Sequence, residues 1–229
     1  MNKRELTFVS GLYFYTRNGQ TTYPEKIILE LEKSVQINSW YKEKLICYAD
    51  TQEMAKILSD KGLYVHKVFD DAPQEVKNDA AHKMKHWIML NAVKEFNDVV
   101  WIDWDTYSLK PIDETFINKC IQSEHPKFTL INNYWATVNC SVYYLNKNYV
   151  SLMEQSFNSV VSEPNDELLW KSVLPENICS LNQYWLDDFV INIWEEIDFK
   201  DVTENTYFLH LRNFEMLNSL NEKKYEFTR

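Results

Sequence analysis

The sequence predicts an α/β fold in which a largely parallel central sheet is flanked by helices on both faces. Short apolar, β-branched runs alternate with amphipathic stretches through the first half of the chain, the pattern of consecutive strand–helix units. Three glycines and six prolines leave little room for linkers, and no internal repeat or low-complexity tract breaks the pattern. At 229 residues and 45% hydrophobic content, the chain has the length and apolar material for one larger domain spanning residues 1–229.

Each element follows from local pattern. Leu6 to Thr16 reads as a strand, and Tyr23 to Glu32 as a helix start with Pro24 near its first turn, where a missing N–H costs little. Lys44 to Tyr48 is a second strand. An amphipathic helix from Gln52 to Ser59 follows, closed by Gly62. Tyr64 to Phe69 is a third strand. Asp79 is placed to cap a long helix reaching about Phe96, with Ala81, Met84, Ile88, Ala92 and Phe96 on one side. Val99 to Ile102 then reads as a buried strand. The second half is less regular. Phe128 to Asn132 and Ser141 to Leu145 read as strands joined through Tyr134-Trp135. Helical stretches are expected over Asn148–Val161, Asp166–Val173 and Asp187–Glu196, a last strand over Thr206–Leu211, and a charged, mobile tail after Asn218.

Composition narrows the function classes. A net charge of −10 argues against general nucleic-acid binding, which needs a basic surface, and against adhesion to anionic membranes. A bound nucleotide stays compatible, because a metal and a few lysines neutralise a diphosphate locally. Eight Trp and fourteen Tyr exceed what a core absorbs, so some line a cleft or the surface. Cys47, Cys120, Cys140 and Cys179 are far apart with no Cys-x-x-Cys pair, which is neither a zinc pattern nor a disulfide scaffold. Reduced thiols in a cytoplasmic protein are the expectation. Asn139-Cys140-Ser141 fits the N-glycosylation sequon but falls in an expected buried strand, so it reads as chance. Met1-Asn2-Lys3-Arg4-Glu5 leads directly into a strand, and no segment reads as a signal peptide or an integral membrane span.

The most informative segment is Asp98-Val99-Val100-Trp101-Ile102-Asp103-Trp104-Asp105-Thr106. Side chains repeat every second residue along a strand, so Asp103 and Asp105 share a face where pairing stops. Carboxylates this close repel unless a cation sits between or beside them. A hard divalent ion held by one or two carboxylates plus substrate phosphates suits the pattern. The plain alternative is a strand running out into an acidic turn.

Four pieces, in order, resemble the nucleotide-sugar-dependent glycosyltransferases of the GT-A fold, family 8 or a related group. Asp103-Trp104-Asp105 matches Asp-x-Asp, preceded by a helix carrying Lys83 and Lys85. Asn139-Cys140-Ser141-Val142 resembles an Asn-Ser-Gly-Val strand, and Asp187-Asp188-Phe189-Val190-Ile191-Asn192 an Asp-Gln-Asp-x-x-Asn element. His210 resembles the family's third metal ligand. The likeness covers roughly Leu6 to Phe214. Departures are clear: Ser141 stands for glycine, Asp188 for glutamine, and Phe189 for the second aspartate. No Gly-x-Lys-Pro-Trp follows His210, only Leu211-Arg212-Asn213-Phe214.

The resemblance implies a GT-A, Rossmann-like mixed sheet and a hexosyl transfer from a nucleoside-diphosphate sugar, UDP-linked by preference. The acceptor would be a glycan, a lipid-linked sugar or a protein. It implies Mn²⁺ or Mg²⁺ on Asp103, Asp105 and His210, with Asp105 the direct ligand; a hydrogen-bonded structural histidine is the plain alternative for His210. Lys83 and Lys85 would contact the donor, against a solvated basic face shared with His82 and His86. Asn139 would bind sugar hydroxyls, against a strand-edge turn. Tyr13, Tyr15 and Thr16 end the first strand and Asp50 the second, where the nucleoside is usually held; core packing and a simple helix cap are the alternatives. Asp187 and Asp188 would lie nearest the reacting carbon, unless Asp187 only caps a helix. Asp188 and Asn192 would share a face of that helix. Retention of configuration is favoured over inversion, which an acidic residue there also suits.

Two other classes fit less well. A haloacid-dehalogenase-like phosphatase also has Asp-x-Asp after an apolar strand, with Thr129, Lys171 and Asp187-Asp188 available for its later motifs. Its motif opens the domain, however, whereas here several strands precede it. A catalytically degenerate sugar-nucleotide-binding domain would keep the fold without turnover, but both aspartates are intact.

Overall fold

The computed structural model describes residues 5–22, 25–130, 138–158, 166–177, 181–186, 189–193 and 202–211. In chain order the strands and helices are β1 (Thr7–Leu12), β2 (Tyr15–Arg17), β3 (Gln20–Thr22), α1 (Glu25–Ile37), α2 (Tyr41–Lys44), β4 (Leu45–Ala49), α3 (Gln52–Asp60), β5 (Tyr64–Val68), α4 (Gln74–Asn78) and α5 (Ala80–Phe96). They continue with β6 (Asp98–Ile102), β7 (Thr106–Ser108), α6 (Glu114–Ile121), β8 (Lys127–Leu130), β9 (Val138–Asn146), α7 (Val150–Asn158), α8 (Asp166–Lys171), β10 (Val190–Ile193) and β11 (Phe208–Leu211).

The main sheet has the order β5-β4-β1-β6-β9-β8. Strands β5, β4, β1 and β6 run parallel, and β9 is antiparallel to both β6 and β8. Alternate residues feed the two faces. Val9, Trp101 and Tyr143 pack under α5, α7 and α8, while Phe8, Val100, Ile102 and Val142 pack against residues of α1, α3 and α6. That period of two is what a sheet covered on both faces requires. A second, small sheet, β10-β11-β7, stands beside the carboxyl end of β6.

Local chemistry sets the ends. Thr51 caps α3 by accepting from the Met54 amide at 3.2 Å. Gly62, at φ +79°, closes the helix as Leu63 N donates to Leu58 O and Gly62 N to Ser59 O. The first strand is shorter than the expected Leu6–Thr16. The Phe14 amide is drawn to Asp50 Oδ2 at 2.8 Å, and the chain then turns into the β2–β3 hairpin through Asn18-Gly19, both at positive φ. Over Val190–Ile193 the expected helix is instead strand β10, paired in parallel with β11. Its β-branched residues suit that ladder. Elements β7 and α6 were not expected at all. Asp79 holds the N-cap position of α5 but makes no side-chain cap bond; its carboxylate meets His82 Nδ1 at 2.9 Å. The Tyr134-Trp135 connection and the tail after Asn218 lie outside the described residues. The Asn139-Cys140-Ser141 sequon is buried within β9. No helix among the described residues is long and apolar enough to cross a membrane.

Candidate active site

Strand β6 ends at Ile102, and Asp103 is fixed just beyond it because its amide donates to Ser141 O of β9 at 2.8 Å. Trp104 and Asp105 form a turn, and Thr106 opens β7. The turn sends the two carboxylates to different partners. Asp103 Oδ2 accepts from Lys85 Nζ at 2.9 Å, and its Oδ1 from Trp101 Nε1 at 2.6 Å. Asp105 Oδ2 lies 3.2 Å from His210 Nε2 on β11, whose Leu211 amide donates to Asp105 O at 2.9 Å.

Asp105 Oδ1 is buried and has no hydrogen-bond partner among the described residues. An orphaned carboxylate oxygen is costly unless a ligand or cation satisfies it. Burial pushes the Asp105 carboxyl up, but the His210 charge and hydrogen bond, with Lys85 behind them, hold it below its usual value. Burial pulls the His210 imidazole down, and Asp105 more than offsets this, so it is raised. Each partner thus favours the charged form of the other.

Lys85 also donates to Cys140 O at 3.0 Å and lies over the Trp101 ring. Lys83 is on another side of α5, above Phe157. Two residues apart on a helix, the lysines cannot face the same way. With His82, Lys85 and His86 all buried, the solvated basic face does not form.

The aspartates border a cavity of ≈ 170 Å³, walled by Tyr13, Trp101 and Trp104 and closed by Ile27 and Glu30 of α1 opposite Lys85 of α5. A neighbouring cavity of ≈ 340 Å³ opens beyond the ends of β1 and β4, lined by Phe14, Thr16, Asp50 and Lys77 among others. Asp50 Oδ1 is buried there without a partner among the described residues, and desolvation raises its carboxyl despite the Phe14 amide. Thr16 Oγ1 pairs with Thr21 Oγ1 across the hairpin, whereas Tyr15 is exposed. Asn139 is buried, donating to Glu167 Oε1 at 3.0 Å and accepting from the Ser141 amide at 2.9 Å and the Ser141 hydroxyl. Its amide is thus committed to the scaffold. Asp187 and Asp188 lie outside the described residues.

Glu30 was not anticipated. Burial and the Asp105 charge raise its carboxyl from 4.5 to about 7, against the lowering pull of Lys26. The sequence signal was present: Ile27, Glu30, Leu31, Ser34, Val35 and Asn38 form one stripe at helical spacing, and Glu30 is the charged member.

No family model matches the chain, and no curated protein sequence matches it. Among solved structures, mouse xyloside xylosyltransferase 1 in its apo form superposes with TM-score 0.52 at 9% identity, over 93% of this chain and 99% of that one. A glycosyltransferase involved in glycosylation of the major capsid of PBCV-1 matches with TM-score 0.48 at 16% identity, over 98% and 99% of the two chains. A cytidylyltransferase from Leptospira borgpetersenii serovar Hardjo-bovis matches with TM-score 0.39 at 15% identity, over 78% and 70%. The fold is GT-A: a mixed, mainly parallel sheet flanked by helices.

Proposed function

We propose that this chain is a metal-dependent glycosyltransferase that moves a hexosyl group from a nucleoside-diphosphate sugar, UDP-linked by preference, to a glycan, lipid-linked or protein acceptor. The observation that carries the reading is the orphaned Asp105 Oδ1 beside His210 and the Lys85–Asp103 pair, all at the carboxyl end of β6. Ligands of open α/β sheets bind outside those ends, and the shared architecture with a xylosyltransferase supports the reaction class. The donor set suits Mn²⁺ or Mg²⁺. Carboxylate oxygens and one imidazole are ligands such ions accept. Among the described residues no group of three His, Cys, Asp or Glu side chains is placed to hold a metal ion by itself, so the reading needs substrate phosphates or water to complete the shell. Asp105 and His210 would hold the ion, with Asp103 beside them. When bound, the ion supplies Lewis-acid stabilisation of charge on the leaving diphosphate. Lys85 offers a second positive charge at the same place, and Asp50 offers an acceptor for N–H or O–H groups of the nucleoside. By resemblance, Asp187 and Asp188 act near the reacting carbon with retention of configuration.

Of the later-motif candidates of the phosphatase alternative, Thr129 and Lys171 are described and Asp187-Asp188 are not. Thr129 is buried in β8, two strands from Asp103, with its hydroxyl given to Val142 O at 3.2 Å. Lys171 ends α8 and is exposed. The deciding experiment is thermal unfolding with UDP or GDP, with and without Mn²⁺, on wild type and Asp105→Ala. At about 100 times Kd a ligand stabilises by ~2.7 kcal/mol. A shift that requires Mn²⁺ and disappears in Asp105→Ala is the expected result. No shift with either nucleotide overturns the donor-site reading.

A further inference from the structure

Glu30 stands where helix chemistry calls for an apolar residue. It lies on the stripe of α1 that packs toward the sheet, with only 9% of its surface exposed. Its ion-pair partner, Lys26, is 3.4 Å away and mostly in solvent, a weak return for burying a carboxylate. The Glu30 side chain borders the same cavity as Asp103 and Asp105, and both of those charges repel it. A buried, poorly compensated charge facing a cavity marks a ligand-reading group.

The class of ligand follows from the rest of the wall. Tyr13 is a partly exposed aromatic wall, the nearly buried rings of Trp101 and Trp104 back it, and Lys85 lies over the Trp101 ring. Apolar walls with a few placed polar groups make a site for a small ring. Glu30 shares its cavity with a lysine and aromatic side chains, surroundings that favour a hydroxylated ring over a second cation. We propose that Glu30 is a specificity-determining residue whose carboxylate accepts hydroxyl hydrogens from a polyhydroxylated ring of the donor, either its ribose or its transferred sugar. This rests on the donor-site reading above.

The test is calorimetric titration of the full chain with Mn²⁺ present, using UDP, 2′-deoxy-UDP and UDP-glucose on wild type, Glu30→Gln and Glu30→Leu. Both replacements remove a buried charge from an apolar stripe, so the fold is expected to survive, and a melting curve checks it. Glu30→Leu is expected to weaken binding about tenfold or more, the usual scale for a hydrogen bond to a charged group. Glu30→Gln, which keeps one acceptor, should fall between. A loss seen with UDP but absent with 2′-deoxy-UDP assigns the contact to ribose. A loss confined to UDP-glucose assigns it to the sugar. Unchanged affinity in Glu30→Leu for all three probes overturns the inference, as does a tenfold loss of Mn²⁺ affinity without nucleotide. If wild type binds GDP and not UDP, the guanine counterparts of the three probes are used; if it binds neither nucleotide, the donor-site reading itself falls and the inference with it.

Discussion

Asp105, His210 and Glu30 form a charge arrangement whose pH dependence has opposing parts. His210 is raised above 6.5, so its contribution to stability is complete below that value and is lost as pH rises through its folded pKa. Asp105 is lowered below 3.8, so its contribution is present above that value and is lost as pH falls through its folded pKa. The stability difference between wild type and His210→Ala should therefore be largest between pH 3.8 and 6.5 and shrink at alkaline pH. Denaturant unfolding across pH measures this, and a difference that grows above pH 8 would contradict it. Glu30 acts the other way. Its folded value of about 7 lies above 4.5, so stability present below 4.5 is lost as pH rises through 7. Glu30→Gln should be more stable than wild type at pH 8, by roughly 3 kcal/mol from ~1.4 kcal/mol per unit, and equal to it at pH 4. Equal stability at both pH values would show that Glu30 carries no burial cost. The aspartate pair was legible in the sequence because two carboxylates after an apolar run are conspicuous. Glu30 was not, because one charged residue in a helix reads as surface until its stripe is compared with the core.

Short elements place these residues, and they are where sequence reading failed. Strand β7 is three residues long and has no periodicity to detect, yet it carries the chain out of Asp105. It is held by polar contacts. Thr106 O accepts from Ser34 Oγ at 3.3 Å, Asn38 Nδ2 at 3.1 Å and Tyr41 OH at 3.3 Å. Asn38 Oδ1 accepts from the Ser108 amide at 2.7 Å and its hydroxyl at 2.8 Å. These bonds span about seventy residues of sequence, so no local pattern announces them. Asn38→Ala should destabilise by about 2–3 kcal/mol, because it orphans a buried amide and a hydroxyl. It should also weaken Mn²⁺-dependent nucleotide binding, since β7 pairs with β11 at Thr106–His210. Unfolding and calorimetry on the same variant check both; intact stability would show that water replaces Asn38. Strand β10 failed for a different reason: Val-Ile-Asn-Ile fits a helix or a strand, and only its pairing with β11 decides. The β2–β3 hairpin carried an Asn-Gly signal that a single long strand from Leu6 obscured. Gly11 is an interface requirement of the same kind. A Cβ there would stand 2.6 Å from Ile88 Cδ1 and 3.2 Å from the Trp101 ring, which is how closely α5 approaches β1.

At the scale of the whole molecule, the alternation of strands and helices was enough to predict the layered sheet, because each buried strand presents both faces to a helix layer. The same layering makes the site a junction. Glu30 comes from α1 on one face, Lys85 from α5 on the other, Asp103 and Asp105 from the turn after β6, and His210 from the small sheet. A ligand that touches all of these bridges parts of the chain that meet only in the folded state. Its binding energy then adds to global stability and is not confined to the loops it contacts. Hydrogen exchange should show this directly. With Mn²⁺ and UDP each near 100 times their dissociation constants, the slowest amides of β1, β4, β6 and β9 should gain protection of ~2.7 kcal/mol or more. That gain should match the rise in unfolding free energy from denaturant. Asp105→Ala should remove it while leaving apo exchange of the central strands in place, because those strands are held by Val9, Val100, Val142 and their neighbours. Protection limited to the β2–β3 hairpin and the Asp103–Thr106 turn would mean that the ligand sees a surface loop. In that case the junction formed by α1 and α5 would be packing alone, and the polar residues buried in it would need another explanation.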